Sequence, residues 1–435
     1  MTSVAPVDYQ ETVLDARDES DEARARLRAW LEGVQRGFHQ ERSGERVWDV
    51  FLAMCEADEV VNRGYWLPDG EFGAGRLPVA TFAHFDKDLN VGGGAHLPVR
   101  MITDITVSPA HRRRGLLRRM MEPNLAQAVA AGVPLGCLTV SEATIYGRFG
   151  FGPATFRRNV ELDTGPGLRI GGVHDHLRGH DGGRVELIEP ADGWPVMSAV
   201  FEQFHAHTRG SVRRPYFYEP MLTGSFDFDS GGEEKRSRLA VHLDADGHPD
   251  GYALYKHKGW DEKPLTVEVR NLVTTSPEAE LALWRFLASV DLSERVTWSG
   301  AATTDVLRWA LEDRHRLKVT AQPDHIWLRV LDVPVALQAR LWYADGRVVL
   351  DVTDPQGHAA GRWSVTVADG VAEVGRTDDE PDVTMPVDTL GSLYLGGVDV
   401  ATMAAAGRLH GSPEAVDRLA ALADGGDAPY SVTSF

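Results

Sequence analysis

Hydrophobic and polar residues alternate with changing periods along this chain, and these periods predict its first elements. Residues 21–37 place apolar side chains at every third or fourth position, which predicts an amphipathic helix, and residues 47–57 predict a second helix. Residues 77–91 and 99–107 are rich in β-formers and flank a glycine-rich turn, which predicts a hairpin. The chain therefore opens with two helices followed by a pair of strands.

The period changes from two to about 3.6 after the Ser-Pro pair at 108–109, within the stretch VSPAHRRRGLLRRMM. The apolar stripe that follows predicts a helix opening near Arg113. Pro123 is expected to kink or interrupt this helix, because proline cannot donate to the helical ladder. Residues 134–140 predict a short buried strand, and residues 141–155 predict a helical turn that ends in glycines. This order of elements is that of an α/β fold.

Residues 267–290 repeat the outline of that segment: a strand, a Ser-Pro pair at Ser276 and Pro277, and a helix. Carboxylates replace the arginines and the glycine of the first copy. A hairpin is predicted ahead of the repeat, over residues 236–260, with a polar turn. The sequence therefore predicts two related units, of which the second is degenerate.

Beyond about residue 331 the chain alternates in a strand-like way between Asp-Gly turns. A helix is then predicted to open with Ser412 as its N-cap and Pro413 in its first position. These signals predict a third, α+β unit. The expected boundaries are 1–158, 159–330 and 331–435, and the absence of a low-complexity linker predicts that the three units pack tightly.

The composition and charge of the chain limit the classes of protein to which it can belong. The chain has 435 residues, 43% of them hydrophobic and 25% charged, as in a soluble globular protein of more than one domain. Its 45 basic side chains are outnumbered by 64 acidic ones, so we expect no nucleic-acid partner, because a phosphate backbone would be repelled. The same balance is compatible with a polycationic ligand.

The two cysteines, Cys55 and Cys137, fit a reducing compartment and give neither a metal-ligand spacing nor a disulfide framework. Each is expected to be an inert core residue. His205 and His207 are expected at an exposed helix end rather than in a metal site. No membrane span or standard signal peptide is recognisable, so we expect a cytoplasmic protein without a metal.

The arginine-rich turn has a definite chemical capacity. A helix that begins after a strand presents unpaired backbone N–H groups and the positive end of its dipole, which suits a phosphate or pyrophosphate. Gly115 would let the backbone approach such a group closely, and arginines would add charge-assisted contacts. The alternative is an exposed basic helix face. The spacing from Arg112 to Gly115 behind a β-rich run favours the phosphate cradle.

The order of strand, arginine–glycine turn, helix, strand and tyrosine-containing helical turn resembles that of the GNAT superfamily of N-acetyltransferases. These enzymes bind acetyl-CoA through a Gln/Arg-x-x-Gly-x-Gly/Ala loop. The loop here would be Arg112-Arg-Arg-Gly115-Leu-Leu117, and Leu117 departs from the small residue of that pattern. With SEATIYGRFGFGPAT, the degenerate copy and the aromatic chain end, the whole chain is similar to the Eis (enhanced intracellular survival) family. The resemblance implies tandem GNAT folds, the second degenerate, followed by a sterol-carrier-protein-like α+β domain.

The resemblance also implies a set of cofactor-binding residues. Three strand residues would pair with the pantetheine arm of acetyl-CoA: Ile105, Thr106 and Val107. The turn would hold the pyrophosphate largely through its backbone, and it comprises Arg112, Arg113, Arg114, Gly115, Leu116, Leu117 and Arg118. Ser141 and Glu142 would line the same cofactor further along. No metal is implied.

Two catalytic residues follow from the same resemblance. Tyr146 matches the general acid that protonates the departing CoA thiolate, since a phenol donor helps in a water-poor site. The chain ends in PYSVTSF, and the terminal carboxylate of Phe435 would be the general base. Desolvation in an apolar tunnel would raise the pKa of that carboxylate and so favour proton abstraction. A final edge strand of the third unit is the alternative for this segment.

The expected activity is therefore acetyl-CoA-dependent N-acetylation of a small polycationic amine. The resemblance suggests aminoglycosides, acetylated at one or several amines, or lysine side chains, and it suggests a homohexamer. Two alternatives stay open at this stage. One is a non-catalytic lipid- or CoA-binding protein, and the other is a longer-chain N-acyltransferase.

Overall fold

The computed structural model describes residues 7–42, 44–140, 142–171, 183–228 and 230–435. Three β-sheets organise the chain, two of seven strands and one of five. No helix in the described ranges is long and apolar enough to cross a membrane.

The first sheet has the strand order β1-β2-β3-β4-β5-β14-β6. Its strands are β1 (Gln10–Leu14), β2 (Val61–Trp66), β3 (Ala80–Gly92), β4 (Ala95–Val107), β5 (Leu135–Thr139), β6 (Gly152–Pro153) and β14 (Ile326–Val330). Its helices are α1 (Asp21–Gly37), α2 (Glu45–Ala57), α3 (Leu116–Ala130) and α4 (Ala143–Tyr146). The two N-terminal helices and the β3–β4 hairpin are thus confirmed. The side chain of Ser20 begins α1 by accepting a hydrogen bond from the backbone N–H of Ala23.

Helix α3 differs from its prediction in two ways. It begins at Leu116 rather than near Arg113, after a single 3-10 turn at Pro109–His111. It also runs through Pro123 without interruption. The carbonyl of Arg119, which loses its helical donor to the proline, instead accepts a hydrogen bond at 3.4 Å from the hydroxyl of the buried Tyr65.

The second sheet has the order β13-β7-β12-β11-β10-β9-β8. Its strands are β7 (Arg158–Asp163), β8 (Arg184–Ile188), β9 (Arg238–Leu243), β10 (Pro249–His257), β11 (Thr266–Thr274), β12 (Arg295–Ala301) and β13 (Leu317–Ala321). Its helices are α5 (Trp194–His207), α6 (Tyr218–Leu222), α7 (Pro277–Ala288) and α8 (Leu307–Ala310). The predicted hairpin is β9–β10, and β11 with α7 is the predicted repeat of strand, Ser-Pro pair and helix.

The third sheet has the order β17-β16-β15-β18-β19. Its strands are β15 (Gly346–Thr353), β16 (Gly361–Ala368), β17 (Val371–Arg376), β18 (Val383–Pro386) and β19 (His410–Gly411). Its helices are α9 (Val333–Ala339), α10 (Val387–Leu393), α11 (Val400–Ala405) and α12 (Pro413–Ala423). Ser412 caps α12 as predicted, accepting from the backbone N–H of Ala415.

The three units are closely interlocked. Strand β14 lies within the range expected for the second unit, yet it pairs antiparallel with β5 and β6 in the first sheet. Helix α10 of the third unit approaches β6 so closely that a Cβ atom on Gly152 would lie 1.9 Å from the carbonyl oxygen of Asp388. The third unit therefore packs directly behind the segment that follows Tyr146.

Candidate active site

The two parallel strands at the centre of the first sheet separate at their carboxyl ends. Strands β4 and β5 pair only where Val99–Met101 faces Leu135–Cys137, although β4 continues to Val107 and β5 to Thr139. The edge of β4 beyond Met101 therefore faces an opening rather than a strand. Ile105, Thr106 and Val107, expected to bind the pantetheine arm, lie along this edge and are partly exposed.

The turn after β4 has the backbone of an anion cradle. Gly115, the N-cap of α3, has a φ of 79°, and Arg113 has a φ of 62°, in the left-handed region that a non-glycine residue seldom adopts. The backbone N–H groups of residues 113–118 make no hydrogen bond within the described part of the chain. These free N–H groups lie at the start of α3, where the positive end of the helix dipole adds to them.

The side chains around this cradle divide into two kinds. Those of Arg112, Arg113 and Arg114 form no ion pair with any described residue and are exposed or partly exposed. Arg118 instead lies with its Nε atom 3.4 Å from Glu122, one turn along α3. Leu116 and Leu117 pack towards the core side of α3, so their contribution to a phosphate site is confined to backbone N–H groups.

Tyr146 ends the short helix α4, directly after the carboxyl end of β5. Its side chain is buried, and its hydroxyl has no hydrogen-bond partner among the described residues. Burial raises the pKa of Tyr146, and the charge of Glu142 adds to the rise, so the phenol stays protonated at neutral pH. Glu142 is exposed at the N-cap of α4, whereas Ser141 lies outside the described residues.

The last residues of the chain are irregular, not an edge strand of the third unit; residues 431–433 are buried, and Ser434 and Phe435 are partly buried. They cross the second unit, which holds them through several hydrogen bonds, three of which mark the route. The backbone N–H of Tyr430 donates to the carbonyl of Arg209, the hydroxyl of Thr433 donates to the carbonyl of Val212, and the N–H of Ser434 donates to the hydroxyl of Tyr218 at 2.7 Å. These contacts lead the chain end back to the first sheet.

Phe435 reaches the opening between β4 and β5. The hydroxyl of Thr139, the last residue of β5, donates a hydrogen bond of 2.8 Å to the terminal carboxyl of Phe435. The aromatic ring lies edge-on to Phe85 of β3, with 6.2 Å between ring centroids. Within the described residues the terminal carboxylate has no cationic partner within 4.0 Å. It is therefore available to an external cation.

The second unit has the same divergence of strands but no cradle. Strands β11 and β12 pair only from Thr266 to Val269 and then separate. Helix α7 begins directly at Pro277, and the side chain of Ser276 accepts from the N–H of Ala279, so the helix satisfies its own first turn. The hydroxyl of Tyr430 donates to the carbonyl of Gly300 within this second opening. The second copy thus uses its opening to hold the C-terminal segment.

The prediction for His205 is wrong. Its side chain is 1% exposed, with Nε2 2.9 Å from Oδ2 of Asp88 and Nδ1 3.0 Å from the hydroxyl of Ser211. His96 lies 3.0 Å from the same Asp88 oxygen, so two imidazoles and a carboxylate cluster where the first and second units meet. The guanidinium of Arg213 binds both oxygens of Asp88 and so neutralises the negative charge of this cluster without an added cation. His207 is exposed, as predicted.

Both cysteines are core residues, as predicted. Cys55 is 2% exposed and Cys137 fully buried. Burial raises the pKa of the Cys55 thiol to about 12 and raises that of Cys137 well above its usual value. Neither thiol therefore ionises at neutral pH, which disfavours a cysteine nucleophile.

Sequence reasoning missed three contributors to this region: Thr139, Tyr218 and the left-handed backbone of Arg113. The first two act through contacts with residues 296 and 216 positions away, for which the local pattern carries no signal. For the backbone of Arg113 the sequence does carry a signal. Only three arginines separate the turn that begins at a proline from the glycine that caps α3, so the chain must reverse its direction within a few residues.

Comparison with known proteins agrees with this architecture. Residues 23–154 match the family model of an acetyltransferase (GNAT) domain, residues 211–330 match a second acetyltransferase (GNAT) model, and residues 333–432 match a sterol carrier protein domain. An N-acetyltransferase of Streptomyces avermitilis is 34% identical over 408 residues, covering 92% of this chain and 93% of the relative. The N-acetyltransferase Eis of Mycobacterium tuberculosis is 33% identical over 362 residues, covering 82% of this chain and 85% of the relative.

Among solved structures, Eis1 from Mycobacterium abscessus superposes with a TM-score of 0.78 at 26% identity, covering 98% of this chain and all of that one. The chain is therefore an acetyltransferase of the GNAT class, a class that uses acetyl-CoA, with two GNAT units and a sterol-carrier-like domain. More specifically, it belongs to the Eis family of N-acetyltransferases.

Proposed function

We propose that the protein transfers the acetyl group of acetyl-CoA to an amine of a small polycationic acceptor, either an aminoglycoside, at one or several positions, or a lysine side chain. The observation that carries the proposal is the terminal carboxylate of Phe435. It lies on Thr139 at the mouth of the β4–β5 opening, within an acidic chain, and lacks a cationic partner among the described residues.

The cofactor-binding part of the proposal rests on the turn before α3. The N–H groups of residues 113–118 would bind the pyrophosphate, and the side chains of Arg112, Arg113 and Arg114 would screen its charge. The free edge of β4 from Ile105 to Val107 would hydrogen-bond the pantetheine arm. When bound there, acetyl-CoA supplies the acetyl group as a thioester.

The remaining chemistry is assigned to this chain's own residues. The terminal carboxylate of Phe435 takes a proton from the acceptor ammonium, which frees the amine lone pair to attack the acetyl carbon. A backbone N–H near Val107 stabilises the developing oxyanion. The C–N bond forms in this attack, and as the C–S bond then breaks Tyr146 donates its phenolic proton to the CoA sulfur. The second proton of the former amine nitrogen returns to the Tyr146 phenolate, and the Phe435 carboxyl releases the first proton to solvent. The raised pKa of Tyr146 supports this role, because it keeps the proton available at neutral pH.

Release of CoA thiol in the presence of aminoglycosides, lysine peptides and simple amines tests this proposal. We expect turnover with at least one amine and a large loss in both Tyr146→Phe and a chain lacking Phe435. Full activity in both variants would remove the assigned acid and base. If no amine supports CoA release, the non-catalytic binding role becomes the better account.

We also propose that the protein works as a homohexamer, following its family resemblance, and that it does so in the cytoplasm. The reduced, buried state of Cys55 and Cys137 is compatible with that compartment. Light scattering after gel filtration tests the assembly: six protomers of 47.7 kDa are expected, and a monomer peak would contradict it.

A further inference from the structure

Strand β4 contains a bulge at Asp104. Thr103 faces Ala83 of β3, and Thr106 faces Thr81, so β4 advances three residues while β3 advances two. Asp104 has no partner in the register and adopts a φ of 51°. Its carbonyl is held at 2.8 Å by the hydroxyl of Thr81. An extra residue of this kind bends the strand and re-aims a side chain.

The bulge turns the carboxyl of Asp104 towards the side of the sheet on which α2 lies. Ile102 and Ile105, on either side of it, both pack in the cluster under α3, so the two residues between them share the opposite face. Cys55 of α2 lies on that face, and the negative charge of Asp104 contributes to the raised pKa of its thiol. The side chain therefore points away from the α3 core.

The Asp104 carboxyl is a group without a partner. It forms no hydrogen bond or ion pair with any described residue, although surrounding protein atoms raise its pKa to about 6 by desolvation. A carboxylate in such a place costs stability unless something pairs with it. The residue as a whole is partly exposed to solvent.

Asp104 and the chain end lie at the same level of the β4–β5 opening. Met101 faces Cys137, so Thr103 and Thr139, each two residues further along, are level across the opening. Thr139 binds the terminal carboxyl of Phe435 on the β5 side of the opening. On the β4 side, Asp104 is the residue that follows Thr103, so its carboxyl lies near the same level. The ring of Phe435 packs in the cluster that contains Cys55 and Met101, on the face to which Asp104 points. The carboxyl of Asp104 and the terminal carboxyl of Phe435 thus lie on opposite sides of one opening.

We propose that Asp104 binds a second ammonium group of the acceptor while the terminal carboxylate receives the proton of the reacting amine. The acceptor class is then one with at least two amino groups, such as a diamine, a polyamine or an amino sugar. This inference rests on the proposed acetyl transfer and deepens it. An ammonium at Asp104 supplies the missing partner of the carboxylate and fixes the acceptor's orientation.

Matched acceptors isolate this contact. Each α,ω-diamine of a series is compared with the monoamine of the same carbon chain, using wild type, Asp104→Asn and the control Asp49→Asn. Asp49 is an exposed carboxylate on α2, so its variant loses the same net charge away from the opening. The readouts are kcat and KM for the amine and KM for acetyl-CoA.

For wild type we expect kcat/KM to favour the best diamine over its monoamine by about tenfold or more, the size of one charge-assisted contact. In Asp104→Asn the diamine's KM rises about tenfold and the preference disappears, while the monoamine and acetyl-CoA parameters change less than twofold. Asp49→Asn keeps the preference. The unfolding temperature of Asp104→Asn stays at or above that of wild type, because an unpaired charge is removed.

A diamine preference that survives in Asp104→Asn would overturn the inference, as would equal losses with diamine and monoamine. Failure of the proposed function gives a different result, namely no transfer to any amine by wild type. In that case calorimetry of the best-binding diamine with wild type and Asp104→Asn decides the binding role alone. Weaker binding to the variant supports the subsite, and equal binding overturns it.

Discussion

The Nη2 atom of Arg329 lies 2.6 Å from Oδ2 of Asp354, and both side chains are almost completely buried. Arg329 belongs to β14 of the first sheet, and Asp354 follows β15 of the third. Asp354 also accepts hydrogen bonds from the backbone N–H groups of Gln356 and Ala359. A Cβ on Gly150 would lie 2.7 Å from Nε of Arg329, so this ion pair lies directly behind the loop that follows Tyr146.

Removal of one partner from this pair should be costly. We expect Asp354→Ala to lower the free energy of unfolding by about 3–5 kcal/mol, because a buried guanidinium is left without its counter-charge. The exposed pair of Arg347 and Asp379 provides the control, and Asp379→Ala should lower the free energy of unfolding far less, because solvent screens this pair. Denaturant titrations of both variants measure the difference, and equal losses would contradict the account.

The same pair predicts a pH dependence of stability. Burial alone would raise the pKa of Asp354, but Arg329 and the backbone N–H groups outweigh it, and the pKa ends below its ordinary value. A depressed pKa contributes stability above the unfolded-state pKa of about 3.9, and this contribution is lost as pH falls through the folded-state value. The difference in unfolding free energy between wild type and Asp354→Asn should therefore be constant from pH 7 to about 5 and shrink in more acidic buffers. A difference that grows on acidification would have the wrong sign.

Local patterns predicted the elements well because their signals lie within a few residues. Ser276 and Ser412 each precede a proline that opens a helix; the cap predicted for Ser412 is confirmed, and the side chain of Ser276 caps its helix in the same way. The hairpin of β3 and β4 was recognisable from its β-formers and its glycine turn. The proposed phosphate cradle also rests on a local signal, since the helix-capping Gly115 and its neighbouring arginines are contiguous.

Long-range relationships could not be predicted in this way. No local pattern indicates that the strand at residues 326–330 leaves the second unit to complete the first sheet. His205 was misjudged because its partner Asp88 lies 117 positions earlier. The route of the chain end depends on Tyr218 and Thr139, which meet it only once both GNAT units are folded. The role proposed for Phe435 comes from a family resemblance, whereas the contacts of Phe435 could be seen only in the structure.

Tyr146→Phe should separate catalysis from binding. We expect kcat to fall about 100-fold through loss of the proton donor, with KM for acetyl-CoA and the unfolding temperature nearly unchanged. Stability is expected to hold because the hydroxyl has no hydrogen-bond partner among the described residues. Tyr255→Phe is the control, since it removes another buried hydroxyl without such a partner, in the second unit. A kcat that is unchanged in Tyr146→Phe, or reduced equally in both, would rule out the acid role.

The position of the terminal carboxylate, rather than the aromatic ring, should matter at the chain end. Deletion of Phe435 withdraws the carboxylate by one residue, about 3.4 Å, and addition of one glycine moves it forward by a similar length. Both changes should lower kcat about 100-fold. Phe435→Leu keeps the α-carboxylate on Thr139 and should retain kcat within about fivefold, losing mainly packing against Phe85. If Phe435→Leu is as impaired as the deletion, the ring and not the carboxylate is the essential group.

The two ends of α3 offer a matched test of the phosphate cradle. Gly115 precedes the helix with a φ of 79°, and Gly132 follows it with a φ of 73°. A Cβ at either position would meet nothing within 4 Å. Alanine should therefore cost each variant a similar stability, about 1 kcal/mol for the left-handed backbone. The two positions differ in what borders the open space. At Gly115 it borders the free N–H groups, where the proposed phosphate would approach the main chain, whereas Gly132 lies at the other end of the helix.

Gly115→Ala is accordingly expected to raise KM for acetyl-CoA about tenfold, and Gly132→Ala to leave it within about twofold. Steady-state kinetics at saturating amine, with unfolding curves of both variants, measure the two effects separately. Equal losses of stability with a change in KM at Gly115 alone would identify ligand approach as the cause. Equal changes in KM would instead trace the effect to strain in α3, and would count against a backbone cradle at this turn.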